Sequence, residues 1–410
     1  MRVTTVLSRL LGVTKMFVES ALFRLDGTLA LSARPTWRRS RCGKCGRVGP
    51  RYDRQDPRDW RHLPWGRTPV VLRYAPWRVN CPQCGVRVEQ VPWAASRSRF
   101  SEAFEELVAY FAQITDKTQV TRLTGVAWQT VGSIVKRVVE RRLDPERLVG
   151  LQRVGIDEFS YKKRHNYLTV VVDHDRGRVV WAGEGRSAEA LTPFFDELGN
   201  EGCQAIELVT IDLAAAYTKA VREKLPNAQI VYDRFHVQRL VSDALDEVRR
   251  EMVRELATDP DQARAVKRTR FVLLMNPWNL SRDQRRKLSE VQRTNQGLYR
   301  AYLLKETLAQ ALDYRQPWRA ERALRDWLAW ASRSRLRPFV KAARTIRKHL
   351  DGILAYVRTR LTNGLLEGIN NRIRMIARRA YGFHSHQALS AMVFLNCGGI
   401  QLDPPLPTGS

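Results

Sequence analysis

The chain has 410 residues and a mass of 47.3 kDa, and its 70 Lys and Arg residues against 42 Asp and Glu residues give a formal net charge of +28. This length predicts two to four domains at roughly 100 to 200 residues each, and a hydrophobic fraction of 44% excludes a disordered chain. No stretch approaches the roughly 18 uninterrupted apolar residues of a membrane span, and Arg9 and Lys15 interrupt the N-terminal segment where a signal peptide needs a continuous apolar region. We therefore expect a soluble, cytoplasmic protein.

The positive charge is concentrated in two flanks. Residues 1–100 carry 20 basic and 6 acidic side chains and residues 241–410 carry 31 and 16, whereas residues 151–240 carry 12 and 13. This pattern favours a nucleic-acid-binding protein, in which the flanks contact the phosphate backbone and the centre keeps carboxylates for chemistry. A surface charge that serves only solubility is the alternative, but solubility is usually obtained with a nearer balance of charge.

Four of the six cysteines form two Cys-x-x-Cys pairs, Cys42 with Cys45 and Cys81 with Cys84. The two-residue gap, followed by glycine in both pairs, is typical of a zinc knuckle, in which two thiolates reach one tetrahedral ion at about 2.3 Å. Apolar and aromatic residues between the pairs predict the strands of a zinc ribbon, although the 35 residues between Cys45 and Cys81 exceed the usual spacing. The alternatives are two disulfides, which are disfavoured in a cytoplasmic chain, or a redox pair, which is disfavoured because two pairs occur without a thioredoxin-like context. We expect structural zinc, because four thiolates leave no open catalytic position, and core positions for the other two cysteines, Cys203 and Cys397.

A helix-turn-helix is predicted next. After a first helix capped by Ser98 or Ser101, the segment KTQVTRLTGVAWQTVGSIVKRVV fits a short helix packed through Val120 and Leu123, a turn at Gly125 and a second helix. The outward positions of the second helix hold groups that can contact bases and phosphates in a major groove: Trp128, Gln129, Thr130, Ser133, Lys136 and Arg137. A plain helical hairpin that links two domains would have a similar pattern.

From residue 151, short β-rich runs give three consecutive strands followed by alternating strands and helices, the layout of a ribonuclease H-like α/β domain. Asp157 interrupts the first strand and Asp212 ends the fourth. An RNase H-like sheet places these two strands side by side, so the two carboxylates can share divalent ions. Gly155 lies on the same strand face as Asp157 and leaves room there. A lone Asp at a strand end is otherwise more often a turn former or a helix cap.

A third carboxylate lies in the segment TNGLLEGINNRIRMIARRAYGF. The helix predicted there has one apolar stripe, Leu365, Ile369, Ile373 and Ile376. Glu367 lies on another face together with Arg374 and Arg378, two groups suited to DNA. Gly364 and Gly368 each cost a helix about 1 kcal/mol relative to Ala, a cost that makes sense where another backbone or a DNA strand comes close. An exposed Glu paired with its Arg neighbours is the alternative.

Together these motifs resemble the DDE transposases of the ISL-three group of bacterial insertion sequences. The resemblance covers nearly the whole chain, because five motifs occur in the family's order: the paired CxxC knuckles, VGIDEFSYKKRHNY, VTIDLAAAY, IVYDRFHV and TNGLLEGINNRIRMIARRAYGF. It implies that Asp157, Asp212 and Glu367 are the catalytic triad of an enzyme that cleaves and transfers DNA strands. One departure is Leu213, where members commonly carry Met, and the two side chains are close in volume.

The fold class implied is multidomain α+β. It consists of a zinc-binding domain (1–95), a helix-turn-helix domain (96–150), an RNase H-like α/β catalytic domain in two parts (151–240 and 351–410) and, between those parts, an all-α insertion (241–350).

The cofactors and partners follow from these assignments. The triad would hold two Mg²⁺ ions, or Mn²⁺ in their place, roughly 3.5 to 4 Å apart, and the cysteines would hold structural Zn²⁺. The resemblance implies double-stranded DNA as partner, both terminal inverted repeats and target DNA, and a homodimer in the active complex. It also implies a bacterial, nucleoid-associated protein with no membrane partner.

Two other functions remain open at this stage: a non-catalytic DNA-binding regulator on the same scaffold, and a junction-type RNase H-like nuclease. Glu158, Asp233 and His236 are secondary candidates for the site, and a satisfied core or capping role is the alternative for Asp233 and His236.

Overall fold

A computed structural model of the chain describes residues 3–162, 166–213 and 215–403. Parts of two motifs, residues 163–165 and 214, lie outside the described residues. The described chain forms two compact units, Met1–Asp144 with Ile376–Ser410, and Pro145–Met375. The predicted division into five segments is finer than these units and stays a prediction.

The N-terminal part has eleven elements within the described residues. In chain order they are α1 (Val3–Leu10), β1 (Met16–Phe23), β2 (Leu29–Pro35), β3 (Arg51–Arg54), β4 (Arg58–Trp65), β5 (Thr68–Tyr74), β6 (Trp77–Cys81), β7 (Gly85–Val88), α2 (Glu102–Ile114), α3 (Lys117–Thr124) and α4 (Trp128–Arg142). The strands form one four-stranded sheet, β1-β2-β5-β4, and one three-stranded sheet, β3-β6-β7. Trp60 and Trp93 are buried edge to face on the four-stranded sheet, with ring centroids 5.6 Å apart.

The three helices α2, α3 and α4 follow the sequence pattern closely. Ser101 caps α2, since its Oγ accepts a hydrogen bond from the backbone N–H of Phe104 at 3.2 Å. Gly125 ends α3 in the left-handed conformation, with a φ of 64°, and so makes the predicted turn. Val120 is buried, but the prediction for Leu123 was wrong, because its side chain is 63% exposed. The predicted core stripe of α4 is buried: Val131, Ile134, Val135 and Val138.

The second part continues with alternating strands and helices. In chain order its elements are β8 (Arg153–Lys162), β9 (Asn166–Asp173), β10 (Arg178–Glu184), α5 (Thr192–Ala205), β11 (Leu208–Ile211), α6 (Ala215–Lys224), β12 (Gln229–Tyr232), α7 (Arg234–Glu255), α8 (Pro260–Lys267), α9 (Arg270–Leu274), α10 (Arg282–Thr294), α11 (Gln296–Asp313), α12 (Pro317–Arg333), α13 (Arg337–Lys348), α14 (Leu350–Thr359), α15 (Gly364–Arg379) and α16 (His386–Cys397). Short 3₁₀ turns precede α5 and α10.

Five of these strands form one mixed sheet in the order β10-β9-β8-β11-β12. β8, β9 and β10 pair antiparallel, and β11 pairs in parallel with both β8 and β12. The predicted adjacency of the first and fourth strands is therefore confirmed. Buried side chains from this sheet, from α5 to α7 and from α9 to α14 form one large apolar cluster, in which Trp327 is 1% exposed and donates from Nε1 to the carbonyl oxygen of Leu304 at 2.7 Å.

The buried stripe of α15 begins one residue later than predicted. Leu366 is 1% exposed, whereas Leu365 is only half-buried, and Ile369, Ile373 and Ile376 complete the stripe. No helix within the described residues is long and apolar enough to cross a membrane.

Candidate active site and nucleic-acid interface

Two carboxylates occupy matching positions on adjacent strands of the mixed sheet. β8 and β11 run parallel, and Thr210 lies opposite Gly155. Asp157 lies two positions after Gly155 in β8, and Asp212 lies two positions after Thr210, immediately beyond the end of β11. Continued by those two positions, the register brings the two carboxylates to the same level of the sheet. The order of strands, not the distance along the chain, brings the two carboxylates to the same part of the sheet.

The pKa of Asp157 reflects the proximity of Asp212. Burial and the negative charge of Asp212 raise the pKa of Asp157 to about 6, although hydrogen bonds from the backbone N–H of Glu158 and from Asn370 act in the opposite direction. Keeping both carboxylates charged is therefore unfavourable without a cation. Carboxylate oxygens are the ligands that Mg²⁺ prefers, so this pair fits a divalent metal site.

His236, in the first turn of α7, belongs to the same group. Its Nε2 lies 2.5 Å from Oδ1 of Asp212. Burial opposes a charge on the imidazole, but hydrogen bonding to Asp212 and the negative charges of Asp212 and Asp233 outweigh it and raise the pKa of His236 above its ordinary value. His236 is thus a close ionic partner of the Asp212 carboxylate.

Asp233 has a capping role. Its Oδ2 accepts from the backbone N–H of Phe235 at 3.1 Å and so caps α7, while its Oδ1 accepts from the backbone N–H of Asn363 at 3.2 Å. Asp233 is 6% exposed. One buried carboxylate therefore joins the start of α7 to the residue that precedes α15, which is the helix that carries Glu367.

Glu367 lies in the first turn of α15, and its backbone N–H donates to the carbonyl oxygen of Asn363 at 2.8 Å. Its side chain is exposed. In the described part of the chain, a single set of three or more His, Cys, Asp or Glu residues has its ligand atoms within 4.8 Å of one another, and it consists of four cysteines. Asp157 and Asp212 therefore share a region of the sheet, whereas Glu367 does not complete a cluster of three carboxylates at that distance.

Asn370 is a residue of the site that the sequence did not reveal. Its Nδ2 donates to Oδ2 of Asp157 at 2.5 Å, across 213 positions of sequence, and the residue is 5% exposed. The available signal was its position: Asn370 lies one helical turn after Leu366, on the face that α15 buries. A polar residue on an apolar stripe needs a partner, and here the partner is the first of the two paired carboxylates.

Glu158 occupies the other strand face from Asp157, because successive strand residues point to opposite sides of a sheet. Burial raises its pKa, and hydrogen bonding to Tyr217 and the charge of Arg186 oppose that shift. Tyr217 is itself buried and shares a hydrogen bond of 2.9 Å with Thr169. These contacts tie Glu158 to α6 and β9.

The four cysteines of the two pairs converge. The Sγ atoms of Cys42, Cys45, Cys81 and Cys84 all lie within 4.8 Å of one another, and those of Cys45 and Cys81 are 3.6 Å apart. Ligands at about 2.3 Å from a tetrahedral ion are separated by about 3.8 Å, so this spacing fits a metal site. Burial opposes a thiolate at Cys81, but the backbone N–H groups of Gln83 and Cys84 outweigh it and lower its pKa to about 7.

The two glycines that follow these pairs have left-handed backbone, with φ of 72° at Gly46 and 70° at Gly85, as a knuckle turn requires. Cys81 and Gly85 face each other across the hairpin of β6 and β7. Among the described residues, which include all six cysteines, no disulfide is formed, and Cys203 and Cys397 are buried as predicted.

The predicted DNA-contacting face of α4 divides into two groups. Trp128, Gln129, Ser133 and Lys136 are exposed, and Thr130 is half-buried. Nζ of Lys117 lies 4.3 Å from the centre of the Trp128 ring, so α3 adds a cation to this face. Arg137, in contrast, donates from Nε to Oε1 of Glu105 at 2.8 Å, and Glu105 is fully buried. Arg137 therefore holds α4 against α2.

Arg374 and Arg378, the two predicted basic residues of α15, are both exposed. NH1 of Arg374 donates to Oδ1 of Asn371 at 2.9 Å. Both side chains are placed on a solvent-facing side of the helix, where a polyanion can reach them.

Comparison with known proteins identifies the family of the chain. A family model described as "Transposase" matches residues 154–393, and a second, described as "Helix-turn-helix domain of transposase family ISL3", matches residues 89–139. The chain is 41% identical over 392 residues to the transposase for insertion sequence element IS1557 from two strains of Mycobacterium tuberculosis, which covers 90% of this chain and 87% of the relative. It is 32% identical over 362 residues to the transposase for insertion sequence element IS1001 of Bordetella parapertussis, which covers 88% of this chain and 89% of the relative. The chain therefore belongs to the ISL3 family of transposases.

Proposed function

We propose that this transposase binds the terminal inverted repeats of an insertion sequence and catalyses metal-dependent cleavage and transfer of DNA strands through Asp157, Asp212 and Glu367. The observation that carries the proposal is the parallel register of β8 and β11, which sets Asp157 level with Asp212. Two half-buried carboxylates in this arrangement favour a cationic ligand, in agreement with the raised pKa of Asp157.

The fold we assign to the catalytic part is RNase H-like. Its support is the strand order β10-β9-β8-β11-β12, with three antiparallel strands followed by two parallel ones. On this assignment the helices between β12 and α15 are an insertion, and α15 brings Glu367 back to the sheet that holds the two Asp residues.

The metal chemistry is assigned to Asp157, Asp212 and Glu367 as ligands. Two Mg²⁺ ions bound there would activate the attacking oxygen and stabilise the leaving oxygen of an in-line displacement. His236 orients Asp212, and Asp233 holds the start of α15 in place. Glu367 stands on the exposed side of α15, so it can approach the ions together with the DNA strand. The reaction needs no covalent intermediate on a Ser or Tyr side chain.

We assign the four-cysteine cluster to a structural Zn²⁺ ion. The support is the closed set of four thiol ligands, which leaves no position for a substrate. The hairpin of β6 and β7 would then be fixed to the Cys42 knuckle by the ion, which would give the basic N-terminal segment a defined shape.

Recognition of the DNA ends is assigned to the exposed face of α4, and contacts near the site of cleavage to Arg374 and Arg378. The charge of residues 1–100 and 241–410 supports this assignment, since each cation on such a surface can neutralise a phosphate. Joining two ends implies a homodimer in the active complex, and the substrate places the protein in the bacterial cytoplasm, at the nucleoid.

The test uses full-length protein, Mg²⁺ and a duplex that carries the inverted repeats found beside the gene. We expect Asp157→Ala, Asp212→Ala and Glu367→Ala to lose cleavage and strand transfer while they still bind the duplex in gel shifts. Asp243→Ala is the matched control, because Asp243 is an exposed carboxylate of α7, 74% accessible, that pairs only loosely with Arg239 at 3.9 Å.

Each other outcome rejects part of the proposal. Cleavage by any of the three variants would exclude the replaced residue as a catalytic carboxylate. Binding by the wild type without cleavage, under Mg²⁺ or Mn²⁺, would indicate a non-catalytic regulator. Cleavage that depends on branch geometry, without strand transfer, would indicate a junction nuclease.

A further inference from the structure

We propose that Asn370 is a positioning residue for Asp157, and that its amide oxygen accepts a hydrogen bond from water bound at the metal site. This inference rests on the proposed function, because it concerns the same carboxylate. It adds a fourth residue to the site and gives α15 a second role beside that of carrying Glu367.

The first step is the set of contacts at Asp157. Its Oδ1 accepts from the backbone N–H of Glu158 at 2.7 Å, and its Oδ2 accepts from Nδ2 of Asn370 at 2.5 Å. The backbone N–H holds one oxygen close to the strand, and the amide holds the other from the helix. Together they select one orientation of the carboxylate and leave the remaining lone pair of each oxygen for a ligand.

The second step is the rigidity of the donor. Asn370 lies between two well-buried residues of α15, Leu366 before it and Ile373 after it, at 1% and 0% exposure. Leu366 rests on Gly155 of β8, two residues before Asp157. The helix therefore cannot shift relative to the strand without disturbing this contact, and the amide of Asn370 is delivered to Asp157 at a fixed position.

The third step is the other end of the same amide. Oδ1 of Asn370 is buried and has no hydrogen-bond partner among the described residues. An unsatisfied buried acceptor destabilises the folded state, and Asn is among the less favourable residues in a helix interior. An apolar residue at position 370 would avoid both costs. The position makes sense if Oδ1 accepts from a water molecule that also belongs to a hydrated cation at Asp157.

The partner of a metal-binding carboxylate typically contributes about 10- to 100-fold to metal affinity. We therefore expect Asn370→Ala in full-length, zinc-loaded protein to bind Mn²⁺ about tenfold or more weakly, as measured by electron paramagnetic resonance titration without DNA. At saturating Mn²⁺ the turnover number for end cleavage is expected to fall, while the KM for the DNA end stays at the wild-type value.

The control is Asn371→Ala, one position further on the exposed face of α15, which is expected to bind Mn²⁺ with wild-type affinity. If Asn370→Ala does not fold, Asn370→Gln keeps the amide but displaces it by one methylene, and it is expected to weaken Mn²⁺ binding in a protein that melts near the wild-type temperature. A role in packing alone would lower the melting temperature and leave the Mn²⁺ affinity unchanged.

Asp157→Ala separates this inference from the proposed function. Loss of Mn²⁺ binding in Asp157→Ala with wild-type affinity in both Asn370 variants would overturn the inference and leave the function in place. Wild-type Mn²⁺ affinity and cleavage in Asp157→Ala would overturn the function itself.

Discussion

Gly155 of β8 lies directly against Leu366 of α15. A Cβ atom at position 155 would come within 2.8 Å of Cδ2 of Leu366 and within 2.9 Å of Nε2 of His174, closer than real Cβ atoms approach their neighbours. The missing side chain therefore sets the closest approach between the strand that carries Asp157 and the helix that carries Glu367 and Asn370. Glycine is required here for space, since its backbone is that of an ordinary strand.

Gly155→Ala is expected to push α15 away from β8. Overpacking of this kind costs about 1 to 3 kcal/mol of the free energy of unfolding. A shift of the helix by even 1 Å would misplace the side chains around the metal site, so we expect strand cleavage to fall on the order of 100-fold. Urea denaturation and an end-cleavage assay measure the two effects.

The matched control for that substitution is Gly368→Ala on α15. Nothing lies within 4 Å of a Cβ atom at this position, so the added methyl group meets open space. It should stabilise the helix by about 0.5 to 1 kcal/mol, because Ala loses less backbone entropy than Gly. Equal destabilisation by both substitutions would show that close packing is not the reason for glycine at position 155.

The order of the strands was accessible from the sequence, and the phase of α15 was not. Three strands followed by strand and helix alternation predicted that β8 and β11 would pair, and this pairing sets Asp157 level with Asp212. In α15, however, Leu365 and Leu366 are both apolar and about 100° apart on the helix. The space above Gly155 decides between them, and that space exists only once strand and helix have packed.

Long-range polar partners were also beyond the sequence. Arg137 faces outward on a projection of α4 alone, and only the packing of α2 reveals Glu105 as its partner. Asn370 interrupts an apolar stripe, but nothing local identifies a partner 213 residues away. A helical pattern gives the direction of a side chain relative to its own axis, and the neighbouring element decides whether that direction leads to solvent.

Asp157→Asn is expected to stabilise the protein when Mg²⁺ is absent. Burial and the charge of Asp212 raise the folded-state pKa to about 6 from an ordinary 3.8, so between these values the folded state binds more protons than the unfolded state. Wild-type stability therefore falls as the pH rises through this window, and one pKa unit corresponds to about 1.4 kcal/mol.

The variant lacks this penalty and should exceed the wild type by about 1 to 3 kcal/mol at pH 7.5, with the difference vanishing below about pH 4. Urea denaturation of zinc-loaded protein at several pH values measures it. Equal stability at pH 7.5 would show that Asp157 carries no such electrostatic cost.

His62 of β4 should make the N-terminal unit sensitive to acid. The residue is 2% exposed, its Nδ1 lies 2.8 Å from Oγ of Ser101, and burial lowers its pKa to about 4. In the unfolded chain the pKa is near the ordinary 6.5, so the unfolded state binds the additional proton and stability falls as the pH drops from 6.5 to 4.

The expected loss at His62 reaches about 3 kcal/mol at the acid end. His62→Asn should abolish this part of the pH dependence, because it keeps a polar group near Ser101 but does not titrate. Thermal unfolding followed between pH 4 and pH 8 measures the slope in both proteins. Parallel curves for the variant and the wild type would exclude His62 as the source.

Removing Arg137 and removing Lys136, two neighbouring cations of α4, should affect different properties. Arg137 contributes to the stability of the fold, and Lys136 contributes to DNA binding. Arg137→Ala leaves the fully buried Glu105 with Ser98 and Arg141 as its remaining partners, so we expect a loss of about 2 kcal/mol in the free energy of unfolding. Lys136→Ala removes an exposed ammonium that comes no closer than 3.8 Å to Glu140. Little change in stability is expected, because exposed ion pairs contribute little.

For DNA binding the expected order of the two variants is reversed. Lys136→Ala should weaken binding to the inverted repeat and reduce the salt dependence of the binding constant by about one released counterion, because one phosphate contact is lost. Arg137→Ala should keep the wild-type salt dependence at temperatures where it is folded. Fluorescence anisotropy over a range of NaCl concentrations distinguishes them. A lower salt dependence in an Arg137→Ala variant of wild-type stability would contradict this expectation. It would show that in the wild type the Arg137 guanidinium leaves Glu105 and contacts a phosphate, as the sequence predicted.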